Sequence, residues 1–332
     1  MSETLETAME PTFEPEPQKV EQEITAKFTR DELVRGWPER EPKVPNFVPI
    51  IKFGVKTDLG RVRENNEDKF DFYEVSDPTM LATRGNVYAV ADGMGGHAAG
   101  QIASEMALKN VITSYYNSPT EDIPTSLLES ITFANEQIHN LSVAVHERSG
   151  MGTTLTVTVV VEDRVYVGQV GDSRAYLIRD DAIRQITFDH SFVAEQVRAG
   201  IMTEEEAESS PYRNIITRSM GTQYNVEPDV FVEEAIPGDI WVLCSDGLTG
   251  HVKDDEIRLV ASTQSPCETA RQLIELANSR GGRDNITVFC FHILELWRDP
   301  TAPPMAPVPT LQSAPTTPEV EAKNPLKRFF GK

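Results

Sequence analysis

Short apolar runs and amphipathic segments alternate along the chain from about residue 50 to residue 297. Six of the runs are rich in β-branched residues and are bounded by Gly, Asp or Ser, a pattern that predicts strands. These predicted strands cover residues 50–55, 87–91, 153–161, 165–170, 240–244 and 287–293. Residues 174–179 and 183–186 flank an Asp180-Asp181 pair, which predicts a hairpin.

Helices are predicted where apolar residues recur at intervals of three and four. One such face is formed by Leu127, Ile131, Ala134, Ile138, Leu141 and Val145. Residues 99–115 and 267–277 are also helix-like, the second with Ser265-Pro266 as its start, and Thr203 precedes an acidic run typical of an exposed helix start. Because strands and helices do not alternate strictly, the pattern favours an α+β layered domain with antiparallel sheets.

The two ends of the chain differ in composition from this core. Residues 1–48 are acidic and Pro-rich without a sustained period, which predicts a disordered extension with a short helix at about 26–36. Residues 298–332 form a Pro-, Ala- and Thr-rich tail that ends in basic and aromatic residues. That end fits either a solvated terminus or a segment that docks on a partner or a membrane surface. We therefore expect one compact core domain, residues 49–297.

Charge and cysteine content exclude several classes of function. The net charge of −21 argues against a nucleic-acid binder, which needs basic patches. No apolar run approaches the roughly 18 residues of a membrane span, and the acidic N-terminus does not resemble a secretory signal. Cys244, Cys267 and Cys290 show no paired spacing, so we expect a reduced, cytoplasmic protein without a transmembrane segment.

Aspartates at the edges of the predicted strands carry the chemistry. Asp68, Asp92, Asp172, Asp246 and Asp284 all occupy such positions. Each alone is typical of a turn or a cap. Carboxylates that converge from several strands, however, repel one another unless cations lie between them. Oxygen ligands suit Mg²⁺ or Mn²⁺, and two such ions could activate a water and clamp an in-line phosphoryl displacement.

Three further residues fit that chemistry. Gly93 follows Asp92 and has no side chain, so its carbonyl can approach an ion closely, although such a turn can equally be structural. Arg63 could hold a phosphate bidentately or could pair with a neighbouring carboxylate. His97 could protonate a leaving alkoxide, although a lone histidine at a helix start is more often structural.

Several motifs together resemble metal-dependent serine/threonine phosphatases of the protein phosphatase 2C family, in their bacterial form. The matching stretches are residues 60–68, 91–97, 150–154, 171–176, 214–221, 244–248 and 283–287. The resemblance implies a four-layer αββα sandwich with two antiparallel sheets, and a flap at about residues 188–222. It also implies hydrolysis of phosphoserine and phosphothreonine in proteins, so that signalling phosphoproteins, a serine/threonine kinase among them, would be its partners.

The resemblance also implies a role for each site residue. Asp92 would bridge two Mn²⁺ or Mg²⁺ ions, and Asp246 and Asp284 would complete the first site. Asp68 and the Gly93 carbonyl would serve the second, with Glu67 as a further or indirect ligand. Asp172 would help to hold a third, weaker ion. In that scheme Arg63 grips the substrate phosphate, and His97 is the general acid.

Two alternatives were weighed against this interpretation. A cysteine-based phosphatase needs an arginine six positions after its cysteine, and none of the three cysteines has one. A catalytically weak phosphoprotein-binding regulator with the same fold would not need the complete aspartate set. The chain departs from the family at Ser209-Ser210, where relatives commonly carry a histidine, so the contribution of that histidine is open here.

Overall fold

The computed structural model describes residues 41–96 and 98–301. The strands are β1 (Phe47–Asp58), β2 (Lys69–Tyr73), β3 (Asn86–Ala91), β4 (Gly93–Met94), β5 (Gly152–Thr153), β6 (Leu155–Val161), β7 (Arg164–Val170), β8 (Arg174–Arg179), β9 (Ala182–Gln185), β10 (Asp229–Glu234), β11 (Ile240–Cys244) and β12 (Ile286–Arg298). The helices are α1 (Pro78–Thr83), α2 (Ala98–Asn117), α3 (Ile123–Ala144), α4 (Phe192–Arg198), α5 (Glu204–Ser209), α6 (Asp246–Thr249), α7 (Asp254–Thr263) and α8 (Pro266–Ser279), with a 3₁₀ turn at His146–Arg148.

Two antiparallel sheets form the centre of the fold. Sheet A has the strand order β1-β12-β11-β8-β9, and sheet B has the order β10-β7-β6-β3-β2. Helices α2 and α3 pack on the outer face of sheet B, and α7 and α8 pack on the outer face of sheet A. The fold is therefore the four-layer αββα sandwich that the resemblance implied.

The layering explains why the central strands are apolar on both faces. In β3, Val87 and Ala89 face α2 and α3, whereas Tyr88 and Val90 face sheet A. In β11, Trp241 packs between the sheets. Since alternate strand residues point to opposite faces, a strand covered on both sides has no polar alternation. The continuous apolar runs of the sequence are the result.

Local sequence signals fix the helices as predicted. On the predicted apolar face of α3, Leu141 is partly buried and the residues before it are fully buried, namely Leu127, Ile131, Ala134 and Ile138. The Asp122 side chain accepts a hydrogen bond from the Thr125 N–H to cap the helix. Helix α8 begins at Pro266 after Ser265, and Thr203 caps α5 in a box with Glu206. These three helix predictions are confirmed.

The strand predictions are confirmed in position but not in every boundary. The run predicted at 153–161 is two strands, because Thr154 leaves the ladder to donate its N–H to the Asp92 carbonyl at 2.9 Å. The predicted hairpin forms between β8 and β9, with Asp180 and Asp181 both at positive φ, as tight hairpin turns require. Strand β10 and helix α7 were not predicted.

The long pair β1 and β12 frames sheet A. Its register runs from Phe47 opposite Arg298 to Asp58 opposite Ile286, with a bulge between Ile50 and Ile51. The predicted N-terminal extension and C-terminal tail lie almost wholly outside the described residues. Within residues 41–96 and 98–301, none of the helices combines the length and apolar character needed to cross a bilayer.

Candidate active site

Strand register brings the predicted aspartates to one edge of the sandwich. Lys69, which follows Asp68, pairs with Ala91, which precedes Asp92. In sheet A, Cys244 pairs with both Arg174 and Val288. The turns that carry Asp172, Asp246 and Asp284 therefore leave sheet A side by side, at the edge where sheet B presents Asp68 and Asp92.

The two carboxylate oxygens of Asp68 have different surroundings. Its Oδ2 accepts hydrogen bonds from Ser245 Oγ and Thr287 Oγ1, both at 2.7 Å. Its Oδ1 is buried without a hydrogen-bond partner among the described residues. A buried carboxylate oxygen in that state is costly unless a cation contacts it, so one oxygen of Asp68 fits a metal ligand.

A chain of side-chain hydrogen bonds holds Asp68 in place. Asn66 Nδ2 donates to Thr57 Oγ1 at 2.8 Å, and Thr57 Oγ1 lies 2.8 Å from Thr287 Oγ1, which donates to Asp68. Asn66 Oδ1 in turn accepts from the Asp68 N–H at 3.1 Å. No role was predicted for Ser245, Thr287 or Asn66, although Ser245 adjoins Asp246 and Asn66 adjoins Glu67 in the matching stretches.

Hydrogen bonds to the backbone of Asp92 fix the turn that carries it. Its carbonyl accepts from the Thr153 hydroxyl at 2.9 Å and from the Thr154 N–H, and its own N–H donates to Thr154 Oγ1 at 3.0 Å. Thr154 Oγ1 also lies 2.7 Å from the hydroxyl of Ser173, the neighbour of Asp172. The Asp92 and Asp172 turns are thus joined through one threonine.

Asp172 repeats the pattern seen at Asp68. It is buried, and its Oδ1 has no hydrogen-bond partner among the described residues. Gly171 before it has φ of 105°, and a Cβ there would lie 2.6 Å from Thr154 Cγ2. Only glycine fits this approach, which holds the Asp172 turn against Thr154.

The electrostatics show how closely the carboxylates gather. Burial, and next the charges of Asp68, Asp246, Asp172 and Asp284, hold the pKa of Asp92 well above its ordinary value. Burial raises the pKa of Asp68 to about 7 and that of Asp172 to about 8, in each case helped by the charge of Asp246. Burial and the charge of Asp284 raise the pKa of Asp246, against a hydrogen bond with the Asp92 carboxyl. Such mutual repulsion is relieved when cations enter.

The carboxylates converge without forming a closed cage. In the described part of the chain, no three His, Cys, Asp or Glu side chains are arranged as a group that could hold a metal ion. Mg²⁺ commonly keeps several waters and takes few protein carboxylates, so an open set of this kind suits it. The donor set, all oxygen with two unpartnered oxygens, fits Mg²⁺ or Mn²⁺ better than zinc or copper.

Arg63 pairs with a carboxylate in this structure. Its Nη2 lies 2.7 Å from Asp284 Oδ2, and half of its side chain is exposed. The hydrogen bond to Asp284 outweighs burial and raises the pKa of Arg63. Of the two alternatives for Arg63, the structure therefore contains the ion pair with a carboxylate. Binding of a substrate phosphate by Arg63 stays a prediction.

Glu67 packs closely against two glycines, Gly93 and Gly100. Its carbonyl accepts from the Gly93 N–H at 3.2 Å and from Ser104 Oγ at 2.6 Å. A Cβ built on Gly100 would lie 1.9 Å from Glu67 Oε2, and one on Gly93 would lie 2.2 Å from the Gly100 carbonyl oxygen. The absence of a side chain at Gly100 therefore leaves room for the Glu67 carboxylate, and its absence at Gly93 lets the Gly93 turn lie against the backbone of α2. The ligand roles of Glu67 and Gly93 stay predictions.

The predicted flap, at about residues 188–222, is hydrogen-bonded to Gly171 near its start and to Thr153 of β5 near its end. At its start, the His190 N–H donates to the Gly171 carbonyl at 2.9 Å, and His190 Nδ1 accepts from the Gly171 N–H at 3.0 Å. At its end, Met220 exchanges two backbone hydrogen bonds with Thr153. His97, the predicted general acid, lies outside the described residues.

Comparisons with known proteins agree with this architecture. The sequence profile of the protein phosphatase 2C family matches residues 55–199. A putative protein phosphatase 2C-type from Streptococcus pyogenes is 40% identical over 246 residues, covering 73% of this chain and 97% of that protein. The solved serine/threonine phosphatase of S. agalactiae is 38% identical, with a TM-score of 0.68, over 74% of this chain and all of that one.

A second similar solved structure contains metal ions. It is the catalytic domain of the serine/threonine protein phosphatase PstP in complex with two manganese ions. It is 35% identical to this chain, with a TM-score of 0.65, and the match covers 75% of this chain and 100% of that one.

The fold, the gathered carboxylates and these similarities define the class of the protein. The chain belongs to the protein phosphatase 2C family of metal-dependent phosphatases. Within that family it is a protein serine/threonine phosphatase of the bacterial type.

Proposed function

We propose that this protein hydrolyses phosphoserine and phosphothreonine in proteins at a binuclear Mn²⁺ or Mg²⁺ centre, with a third ion at Asp172. The observation that carries the proposal is the state of Asp68 and Asp172. Each is buried and has one carboxylate oxygen without a hydrogen-bond partner in the described structure. In this proposal Asp92 would contribute to both ions, Asp246 and Asp284 would complete one site, and Asp68, Glu67 and the Gly93 carbonyl would serve the other.

When bound, the ions would lower the pKa of a water and neutralise charge on the phosphate. In the reaction a water oxygen forms a bond to phosphorus while the bond to the serine or threonine oxygen breaks. Arg63, half exposed at the edge of the cluster, is placed to exchange Asp284 for a phosphate oxygen. His97 would give the leaving alkoxide its proton.

The proposal also concerns where the substrates are found. All three cysteines are free thiols, with Cys244 and Cys290 buried, which supports a reducing, cytoplasmic setting. Phosphorylated cytoplasmic proteins, a serine/threonine kinase among them, are the partners that this proposal implies.

A turnover assay with a matched control tests the proposal. Phosphate release from a phosphothreonine peptide should require Mn²⁺ and should fall at least a hundredfold in Asp92→Ala, a loss typical of removing preorganised charge stabilisation. Asp255→Ala is the control, because that carboxylate lies on α7 with 89% of its side chain exposed. Peptide binding with no turnover above the Asp92→Ala background would instead assign the protein to the binding-regulator class.

A further inference from the structure

Two neighbouring loops place three arginines on one exposed rim beside the carboxylates. The Arg61 N–H donates to the Gly282 carbonyl at 2.7 Å, so residues 59–66 lie alongside residues 281–285. Arg61, Arg63 and Arg283 are all exposed. We call these three residues the basic rim, and it borders Asp284 directly through the Arg63 ion pair.

Two of the rim arginines have no anionic partner in the part of the chain that the structure describes. Neither the Arg61 nor the Arg283 side chain makes an ion pair or a hydrogen bond within residues 41–96 and 98–301. On the neighbouring helices, by contrast, Arg258, Arg271 and Arg280 all contact carboxylates. In a chain of net charge −21, unpaired cations at the mouth of a site are available to a ligand.

The spacing of the rim suits a peptide that carries two anionic groups. Consecutive Cα atoms are about 3.8 Å apart, so those of Arg61 and Arg63 lie within about 7.6 Å of each other. Residues of an extended peptide advance about 3.3 Å each. An anionic side chain one to three residues from a phosphate held at Arg63 therefore comes within reach of Arg61 or Arg283.

We propose that Arg61 and Arg283 determine specificity by binding an anionic group near the phosphorylated residue of the substrate. That group is an aspartate, a glutamate or a second phosphorylated residue, all of which match the planar guanidinium fork. The inference rests on the proposed phosphatase function. The overall negative charge does not oppose it, because charges beyond about 10 Å are screened at 0.1 M salt.

Three peptides that differ only beside the phosphothreonine test this proposal. The flanking residues are alanine in the first, glutamate in the second, and a second phosphorylated residue in the third. We expect kcat/KM to be about tenfold higher for the anionic peptides, about threefold for each exposed ion pair. A gain for both shows that any anionic group is bound, whereas a gain for the doubly phosphorylated peptide alone identifies phosphate as the ligand.

In the double variant Arg61→Ala/Arg283→Ala, the ratio of kcat/KM between the anionic peptides and the alanine peptide should fall to near one. The change should come mainly from a higher KM for the anionic peptides. Arg184→Ala/Arg271→Ala removes the same charge from β9 and α8 and should keep the preference. Equal turnover of all three peptides by the unaltered protein, or a preference that survives Arg61→Ala/Arg283→Ala, would overturn the inference alone. Absence of turnover with every peptide would overturn the proposed function and this inference together.

Discussion

The carboxylate of Asp68 shows how one side chain serves two purposes. Two hydroxyl donors fix one of its oxygens, and the other oxygen is left buried and unpartnered in the described structure. A residue kept only for stability would be expected to satisfy both oxygens, since an unmet buried acceptor costs about 1–3 kcal/mol. The arrangement therefore fits a residue that holds a ligand at some cost to the unliganded fold.

The close contact between Gly100 and Glu67 allows stability and metal binding to be separated. A Gly100→Ala substitution places a methyl group where Glu67 Oε2 now lies, and the flexible end of Glu67 can move away. Alanine is favoured over glycine in a helix by about 1 kcal/mol, so we expect little loss of thermal stability. Displacement of Glu67 should nevertheless weaken Mn²⁺ binding about tenfold, as changes around metal ligands typically do.

Isothermal titration with Mn²⁺ and a thermal melt of the metal-free protein check this prediction. Gln101→Ala, one position further along α2, is the control and should leave the Mn²⁺ affinity unchanged. Unaltered affinity in Gly100→Ala would show that Glu67 does not contribute to the centre.

The sequence indicates the candidate aspartates more readily than the residues that hold them in place. Aspartates at strand ends are visible as letters, and strand register brings them together as expected. Thr57, Ser104 and Thr154 are common residue types that form no recognisable sequence pattern. Their hydroxyls bond to residues that lie far away along the chain. Partnerships of that kind depend on the folded arrangement, so local sequence reasoning could not identify them.

Among the secondary-structure elements, the flap shows how an insert can be tied to a site. One of its ends is hydrogen-bonded to Gly171, in the turn that carries Asp172, and the other to Thr153 of β5, whose hydroxyl donates to the Asp92 carbonyl. Strand β10 adds a further link, because Asp229 Oδ2 lies 3.1 Å from His190 Nε2 and Oδ1 lies 3.3 Å from Arg218 Nη1. Each residue of β10 is only half-buried, as at a sheet edge, which explains why its pattern did not predict a strand.

The Asp229 link predicts a specific pH dependence of stability. Burial favours the neutral acid, but the hydrogen bond from His190 and the charge of Arg218 outweigh it and lower the pKa of Asp229. A lowered pKa in the folded state stabilises the protein above the unfolded value near 3.9 and is lost as the pH falls through the folded value. Asp229→Asn should therefore cost about 1–3 kcal/mol at pH 7, the range for a hydrogen bond to a charged group.

Urea unfolding of the unaltered protein and Asp229→Asn at a series of pH values measures this difference. It should stay constant from neutral pH to about pH 4 and shrink below it. Asp255→Asn, an exposed carboxylate on α7, should show no such difference at any pH. A difference that changes near pH 6.5 would assign the dependence to an imidazole instead.

At the scale of the domain, the five carboxylates of the site lie together at one edge of the sandwich, beside its three apolar clusters. Burial, and next the repulsion between these carboxylates, raises the pKa of Asp68, Asp92, Asp172 and Asp246. The metal-free fold therefore carries an electrostatic strain that bound cations should remove. Stability and metal content are linked for the whole domain.

Thermal melts of the metal-free and Mn²⁺-saturated protein test this linkage. Metal at 100 times its Kd contributes about 2.7 kcal/mol, which should raise Tm by roughly 5–10 °C in a domain of this size. Asp172→Asn keeps the shape but removes a candidate metal ligand, so it should reduce the Mn²⁺-induced rise. Because burial raises the pKa of Asp172 to about 8, that carboxyl is mostly protonated at pH 7, and the Tm of the metal-free protein should change little. A lower Tm for metal-free Asp172→Asn would show that the ionised carboxylate stabilises the fold.

The pairing of β1 with β12 has a consequence for how the domain can be connected. The Asp299 N–H donates to the Asn46 carbonyl at 2.8 Å, so the chain enters and leaves the sandwich at one point. Twelve residues of β1 separate that point from the carboxylate edge, a distance of about 36 Å. The domain is therefore suited to circular permutation. It is also suited to insertion into a surface loop of another protein, with the carboxylate edge far from the points of attachment.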